Sequence, residues 1–388
     1  MRVLSSIISS EEKAHEGVMR SYAAGRKKLA DRENIQDSQG GLAALLFILL
    51  LTALQRLLEP KYMGRVVEGA FVGEYYGEQT EHELLFLGDC EAYENISPPA
   101  LWEQYGFTSY IRGSAAQTLA QSYYLLEEML DHETPRAVVF SVSAMQEPAA
   151  SAETYNRMTL DGMRMSLHKL RAIQASMLDG EHMVEYLFPL LRYHSRWSSL
   201  KSDDFRYYFH REAVSHNGYY LRADIRPLDV LPSERRRSDY LLPEEGWHYL
   251  DKMRELCEKK AVQLVLFKAP SLYPTWYNEW DEQIQRYAER WSLPYINTIP
   301  LAEEIGIDYS HDSYDGGLHM NVYGAEKLSR YMGNYLKECV KLEDMRDDPL
   351  LSSVWNEKLQ LYERAKHAQE EEFRTLGYIK KYAEQEEN

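Results

Sequence analysis

Glu83-Leu84-Leu85-Phe86-Leu87-Gly88-Asp89-Cys90 is the stretch on which the reading of this chain turns. It is a short apolar run without polar alternation, ended by Gly88-Asp89, and it reads as a strand buried on both faces in a parallel sheet. Working outward, residues 97–104 predict a helix and residues 108–113 a second strand. Residues 115–131 carry apolar side chains at helical spacing, and residues 136–142 predict a third strand. Strand-helix alternation of this kind predicts an α/β fold, a parallel sheet with helices on both faces. The alternation breaks over 146–245, a long insertion of helical stretches and a tyrosine- and arginine-rich segment, of the sort that forms lids or substrate walls. It returns with a helix at 246–260, a strand at 262–267, a helix at 276–291, a strand at 294–297 and a closing helix at 322–341. The α/β domain is therefore expected over 82–342. The charged tail 343–388 is expected to be an exposed helix or a frayed end.

Ahead of the domain, GGLAALLFILLLTAL from Gly40 to Leu54 holds no charge. Alone it is shorter than the ~20 residues that span a bilayer, but 40–58 reaches that length because Arg56 can snorkel toward headgroups. A secretory signal peptide would sit nearer Met1 and end in small residues, so an uncleaved signal anchor is expected. Its all-round apolarity speaks against the alternative, a buried core helix with a polar stripe. Arg26, Lys27, Lys28 and Arg32 precede it, and Arg56, Lys61 and Arg65 follow. This bias predicts a single pass through the cell membrane, with the N-terminus cytoplasmic and the main domain extracytoplasmic. Residues 1–39 read as a polar, solvated segment and 59–81 as an aromatic, glycine-rich connector.

The 388 residues, with 44% hydrophobic and 27% charged, describe a globular chain rather than a disordered one. A net charge of -17 argues against nucleic acid, whose phosphates need a basic surface. The three cysteines are odd in number and form no CxxC, so neither a disulfide framework nor a zinc cluster is written here. Cys257 and Cys339 fall in helical patterns and read as packed thiols. There is no phosphate-cradling loop and no dinucleotide fingerprint, so no cofactor and no metal is expected.

In an open parallel sheet, reactive groups gather beyond the carboxyl ends of the strands. Here those ends carry Gly88-Asp89-Cys90-Glu91, then Gly113-Ser114-Ala115-Ala116-Gln117, and late in the chain Asp312-Ser313-Tyr314-Asp315-Gly316-Gly317-Leu318-His319-Met320-Asn321. The layout resembles the SGNH/GDSL hydrolases, and most closely their membrane-anchored branch that works on cell-envelope polymers. The resemblance covers about 82–340. It implies a flavodoxin-like three-layer sheet and places Cys90 where that family has its nucleophilic serine. It further implies an oxyanion site from the amides of Cys90 and Gly113, and His319 as base with Asp315, or alternatively Asp312, orienting it. The chain departs from the family at Cys90, and at Ser141-Val142-Ser143-Ala144-Met145, where a Gly-x-Asn-Asp block is usual.

The chemistry follows from the residue types. A thiol beside an imidazole ionises readily and its thiolate is a strong nucleophile. Two backbone donors could hold the developing oxyanion, each contributing about 3–4 kcal/mol. Asp89 and Glu91 work the other way, since their charges raise the pKa of a thiol between them. Together with Gln117, Lys268 and Asn321 they are candidates for lining the substrate site, and Tyr193-His194-Ser195-Arg196-Trp197 is a weaker candidate for gripping a sugar. Taken singly, Cys90 is equally a packed small residue, His319 a helix cap and Gly113 a tight turn. Two readings stay open: an esterase or acyltransferase acting on an acylated polysaccharide, compatible with a membrane acyltransferase partner, or a degenerate binding or assembly module of an envelope complex.

Overall fold

The computed structural model describes residues 40–59, 70–146, 149–209, 213–228, 230–234 and 236–386. Its strands β1 (Leu84–Gly88), β2 (Ser109–Gly113), β3 (Ala137–Ser141), β4 (Gln263–Lys268) and β5 (Tyr295–Asn297) form one parallel sheet in the order β2-β1-β3-β4-β5. This is the flavodoxin-like doubly wound order, whose winding reverses between β1 and β3. Every residue of β1, β2 and β3 is buried. Leu85 and Leu87 enter one core with Val138, Phe140 and Leu266, while Leu84 and Phe86 enter the other with Val139, Val265 and Phe267. Burial on both faces is why the strands show no polar alternation.

The covering helices are, in chain order, α1 (Cys90–Asn95), α2 (Pro98–Tyr105), α3 (Leu119–Met129), α4 (Glu244–Lys260), α5 (Asn278–Trp291), α6 (Val322–Cys339) and α7 (Pro349–Leu376). Side chains of α3, α4 and α5 fill the first core; those of α1, α2, α6 and α7 fill the second. Starts are set locally. Thr118 and Gln121 close a capping box on α3, and Asp348 accepts from the amides of Leu350 and Leu351 at 2.9 and 3.0 Å ahead of Pro349 in α7.

The tail forms a long helix, exposed along much of its length, that docks by a few buried side chains. Trp355 is fully buried and stacks on Trp102 at 5.6 Å between ring centroids, and the Tyr362 hydroxyl donates to Glu326 Oε1 at 2.8 Å. Trp355, Leu359 and Tyr362 recur at i, i+4 and i+7, a narrow apolar stripe hidden among charges. The insertion contributes short helices at Glu153–Leu160, Leu167–Ser176 and Met183–Leu187, and its stretch 219–223 joins the second core through Tyr219, Tyr220, Leu221 and Ala223.

Two compact units divide the chain: the first holds the helix Gly40–Leu58 and the segment Tyr193–Tyr208, the second Pro60–Arg192 and Phe209–Asn388. Among the described residues, Gly40–Leu58 is the one helix long and apolar enough to cross a membrane. The polar segment 1–39 and residues 60–69 of the connector lie outside the described residues.

Candidate active site

Beyond the switch point between β1 and β3 the chain turns at Gly88, whose φ is +148°. A Cβ there would stand 2.7 Å from Ser141 Cβ, so only glycine lets β1 leave the sheet this close to β3. Asp89 then caps α1, its carboxylate accepting from the Glu91 amide at 3.1 Å. Cys90 is the first residue of that helix and is half-buried.

His319 arrives from the loop before α6. Asp315 Oδ1 organises that loop by accepting from the amides of Leu318 at 3.1 Å and His319 at 2.9 Å and from Ser313 Oγ at 3.2 Å. The Met320 amide donates to Asn95 Oδ1 at 2.7 Å, which fastens the loop to the end of α1. Cys90 sits at the other end of the same short helix. The thiol and the imidazole are thereby brought into direct interaction, each changing the proton affinity of the other.

On the His319 ring, Nδ1 faces Asp315 Oδ2 at 2.7 Å and Glu94 Oε2 at 3.2 Å, so both carboxylates gather on one nitrogen. Burial alone would lower the pKa of His319, but the charge of Glu94, the thiol and the bond to Asp315 raise it well above the ordinary imidazole value. Burial likewise pulls Asp315 up, and the hydrogen bond and charge of His319 overcome it, holding this carboxyl below the usual range. Cys90 is pushed up to about 11, chiefly by burial; the charge of His319 opposes the rise, while Asp89 and Glu94 add to it. Asp89 itself is raised to about 6 by burial and by the neighbouring Glu91.

Glu91 is balanced by Lys268 at the end of β4, whose Nζ lies 2.5 Å from Glu91 Oε1 and 3.2 Å from the Ala269 carbonyl. The remaining expected residues are placed differently. Asp312 is fully buried and faces Lys327 Nζ at 2.6 Å, the Asp308 amide and His311, so of the two candidate acids Asp315 is the one on His319. Gln117 is turned into the β2–α3 turn, bonded to Ser114, the Arg112 carbonyl and Ser122. Asn321 caps α6 through the amides of Tyr323 and Gly324 and donates to the carbonyls of Asp224 and His311. Gly113 pairs with Gly88 across the sheet, and a Cβ there would meet the Gly88 carbonyl at 2.9 Å.

Three contributors were not expected. Glu94 lies one turn after Cys90 on α1, and the i, i+4 spacing is the signal that could have found it. Tyr314 donates to Glu94, and its ring stacks against His319 with centroids 6.4 Å apart. Ser143, from the segment lacking the usual block, donates to Asp89 Oδ2. Glu94, Asp315 and His319 also offer one ligand atom each within 4.8 Å of one another.

No family model matches the sequence, and no curated protein matches it. Solved structures similar to part of it include two from Bacteroides species. One is a candidate acylhydrolase from Bacteroides fragilis NCTC 9343, at 10% identity and a TM-score of 0.33, covering 68% of this chain and 89% of that one. The other is a GDSL-like lipase from Bacteroides thetaiotaomicron VPI-5482, at 11% identity and a TM-score of 0.34, covering 70% of this chain and 100% of that one. Likeness at this level carries no argument about activity. The chemistry rests on the site itself.

Proposed function

We propose that this chain is an SGNH/GDSL-like ester hydrolase or O-acyltransferase in which the thiol of Cys90 stands where that family has its serine. The observation that supports this reading is the His319 ring, tied through Nδ1 to Asp315 at 2.7 Å and interacting with the Cys90 thiol. As sulfur attacks an ester carbonyl, His319 Nε2 takes the Sγ proton, and Asp315 steadies the imidazolium that results. Collapse of the tetrahedral adduct breaks the ester C–O bond. The departing alkoxide takes the proton back from Nε2 and leaves a thioester on Cys90. Water or an acceptor hydroxyl, deprotonated by the same nitrogen, then attacks the thioester; the C–S bond breaks, the thiolate takes that proton back, and acid or new ester is released. A thiol held at about 11 loses its proton only as the bond forms.

The proposed substrate class is an ester-linked group, as on an acylated cell-envelope glycopolymer. The resemblance and the apolar helix Gly40–Leu58, read as an anchor with the N-terminus cytoplasmic and the domain outside, support it. A membrane acyltransferase as donor or acceptor partner fits the same reading.

The high proton affinity of Cys90, with Asp89 and Glu94 both raising it, favours a second reading, a catalytically degenerate binding or assembly module. The two separate on one experiment with the full chain in detergent, using p-nitrophenyl acetate and mass spectrometry of the quenched protein. The enzyme reading expects an acetyl adduct on the Cys90 peptide and a loss of about a thousandfold in turnover for Cys90→Ala and for His319→Ala. If both variants match the wild type, the enzyme reading is lost and the binding module stands.

A further inference from the structure

The helix Gly40–Leu58 has 19 residues, about 28 Å of rise, and a bilayer presents about 30 Å of hydrocarbon. Its whole length is therefore needed to span. Its exposure, however, is uneven. Gly40–Thr52 is exposed all along, only about 20 Å, whereas Ala53, Leu54, Gln55 and Leu57 are half-buried and Leu58 is buried. Upstream, Asp37-Ser38-Gln39 is too polar to lengthen the apolar span. The last turns must thus lie at membrane depth together with whatever protein surrounds them.

What shares their compact unit is Tyr193–Tyr208, from the long insertion. Arg196 Nη1 donates to the Leu58 carbonyl at 2.7 Å, closing the end of the helix. Arg196 Nη2 meets Asp204 Oδ1 at 3.0 Å, and Asp204 Oδ2 accepts from the Lys201 amide at 3.0 Å, so this contact also folds the segment. Its outer surface is aromatic and basic: Trp197 is 72% exposed, Phe205 46% and Tyr208 37%, with Lys201 and Arg206 exposed beside them. Aromatic side chains with lysine and arginine are the composition of membrane-water interfaces.

We infer that Tyr193–Tyr208 is an interfacial membrane-binding element, which seats Trp197 and Phe205 at the headgroup-acyl boundary around the C-terminal end of the anchor helix. The partner is a phospholipid bilayer, with Lys201 and Arg206 beside its phosphates. The inference rests on reading Gly40–Leu58 as an anchor. It adds that a collar from the insertion completes the span, whose bare length falls short of the hydrocarbon.

The full chain is reconstituted into vesicles of phosphatidylcholine and phosphatidylglycerol, with and without lipids brominated near the headgroup. Tryptophan emission is compared for wild type, Trp197→Phe and Phe205→Asp. Brominated lipid is expected to quench the Trp197 share of the emission by about twofold or more, the share being the difference between wild type and Trp197→Phe. Phe205→Asp is expected to shift that share to the red and relieve the quenching. A chain that resists carbonate extraction while Trp197 stays unquenched overturns the collar and leaves the anchor standing. So does a Trp197 emission that depends on protein concentration instead of lipid, which assigns the surface to a second copy. A chain released by carbonate overturns the anchor and the collar together.

Discussion

β1 has a buried histidine and two carboxylates at each of its ends, and the two sites do different things with the same groups. At the N-terminal end, His82 Nδ1 meets Glu133 Oε2 at 3.0 Å and Nε2 meets Glu78 Oε2 at 3.2 Å, so both ring nitrogens are engaged by acids. Tyr75 and Lys358 complete that network through Glu133 and Glu78. At the C-terminal end, Asp315 and Glu94 converge on one nitrogen of His319, and the ring also interacts with Cys90. A histidine bonded at both nitrogens by carboxylates holds its proton and pins the connector to the sheet. One bonded at a single nitrogen keeps an edge with which to move a proton. The distribution of partners over the ring, more than burial or charge, separates a structural histidine from a candidate base.

The sharpest way to break this contrast is to remove each ring. His319→Ala is expected to cut turnover on an activated ester by about a thousandfold. His82→Ala is expected to leave kcat/KM of the folded protein within about twofold. It should destabilise the chain by about 3–5 kcal/mol in urea melts, because Glu133 loses its buried counter-charge. A His82→Ala protein of wild-type stability with lost activity would reverse the two roles.

Smaller in size, the pH responses should run in opposite directions. Burial would lower the pKa of His82, but its hydrogen bonds to Glu133 and Glu78 raise it above the ordinary value. A histidine raised in the folded state gives its full stabilisation below its unfolded pKa and loses it as pH climbs through the folded one. Stability from His82, measured as the difference between wild type and His82→Gln, should therefore fall on the alkaline side. Activity should rise there, since His319, also raised, must lose its proton to act as base. Parallel rather than opposed profiles would mean that the two rings are equivalent.

The mildest change is Glu94→Gln. Glu94 raises both His319 and Cys90, so its neutral replacement should lower both proton affinities. The rising limb of the kcat/KM profile should move to lower pH, and iodoacetamide should label Cys90 faster at pH 8, a change of about tenfold or less in either readout. An unmoved limb with unchanged labelling would leave Glu94 as a partner of Tyr314 alone.

The β-strands were legible because burial on both faces writes itself as unbroken apolar runs; observed and expected bounds differ by a residue or two, as at β1, Leu84–Gly88 against 83–87. Cys90 and His319 stood out because nucleophile and base types occupied strand-end and late-loop positions. Glu94 did not, since a glutamate in a short helix looks like any solvated charge until the neighbouring loop covers it. The α7 stripe of Trp355, Leu359 and Tyr362 was masked for the same reason, by the charges between its members.

Local patterning, then, carries what each segment becomes: the runs that make the sheet, the apolar helix at 40–58 and the caps that start α3 and α7. What only the folded chain decided is which groups share a space. Asp315 rather than Asp312 faces His319 because its carboxylate gathers the loop amides, and the Asn95–Met320 bond then sets that loop against α1. Proton affinities belong to the same level, because they follow from burial and from charges brought together across the fold rather than from neighbours along the chain.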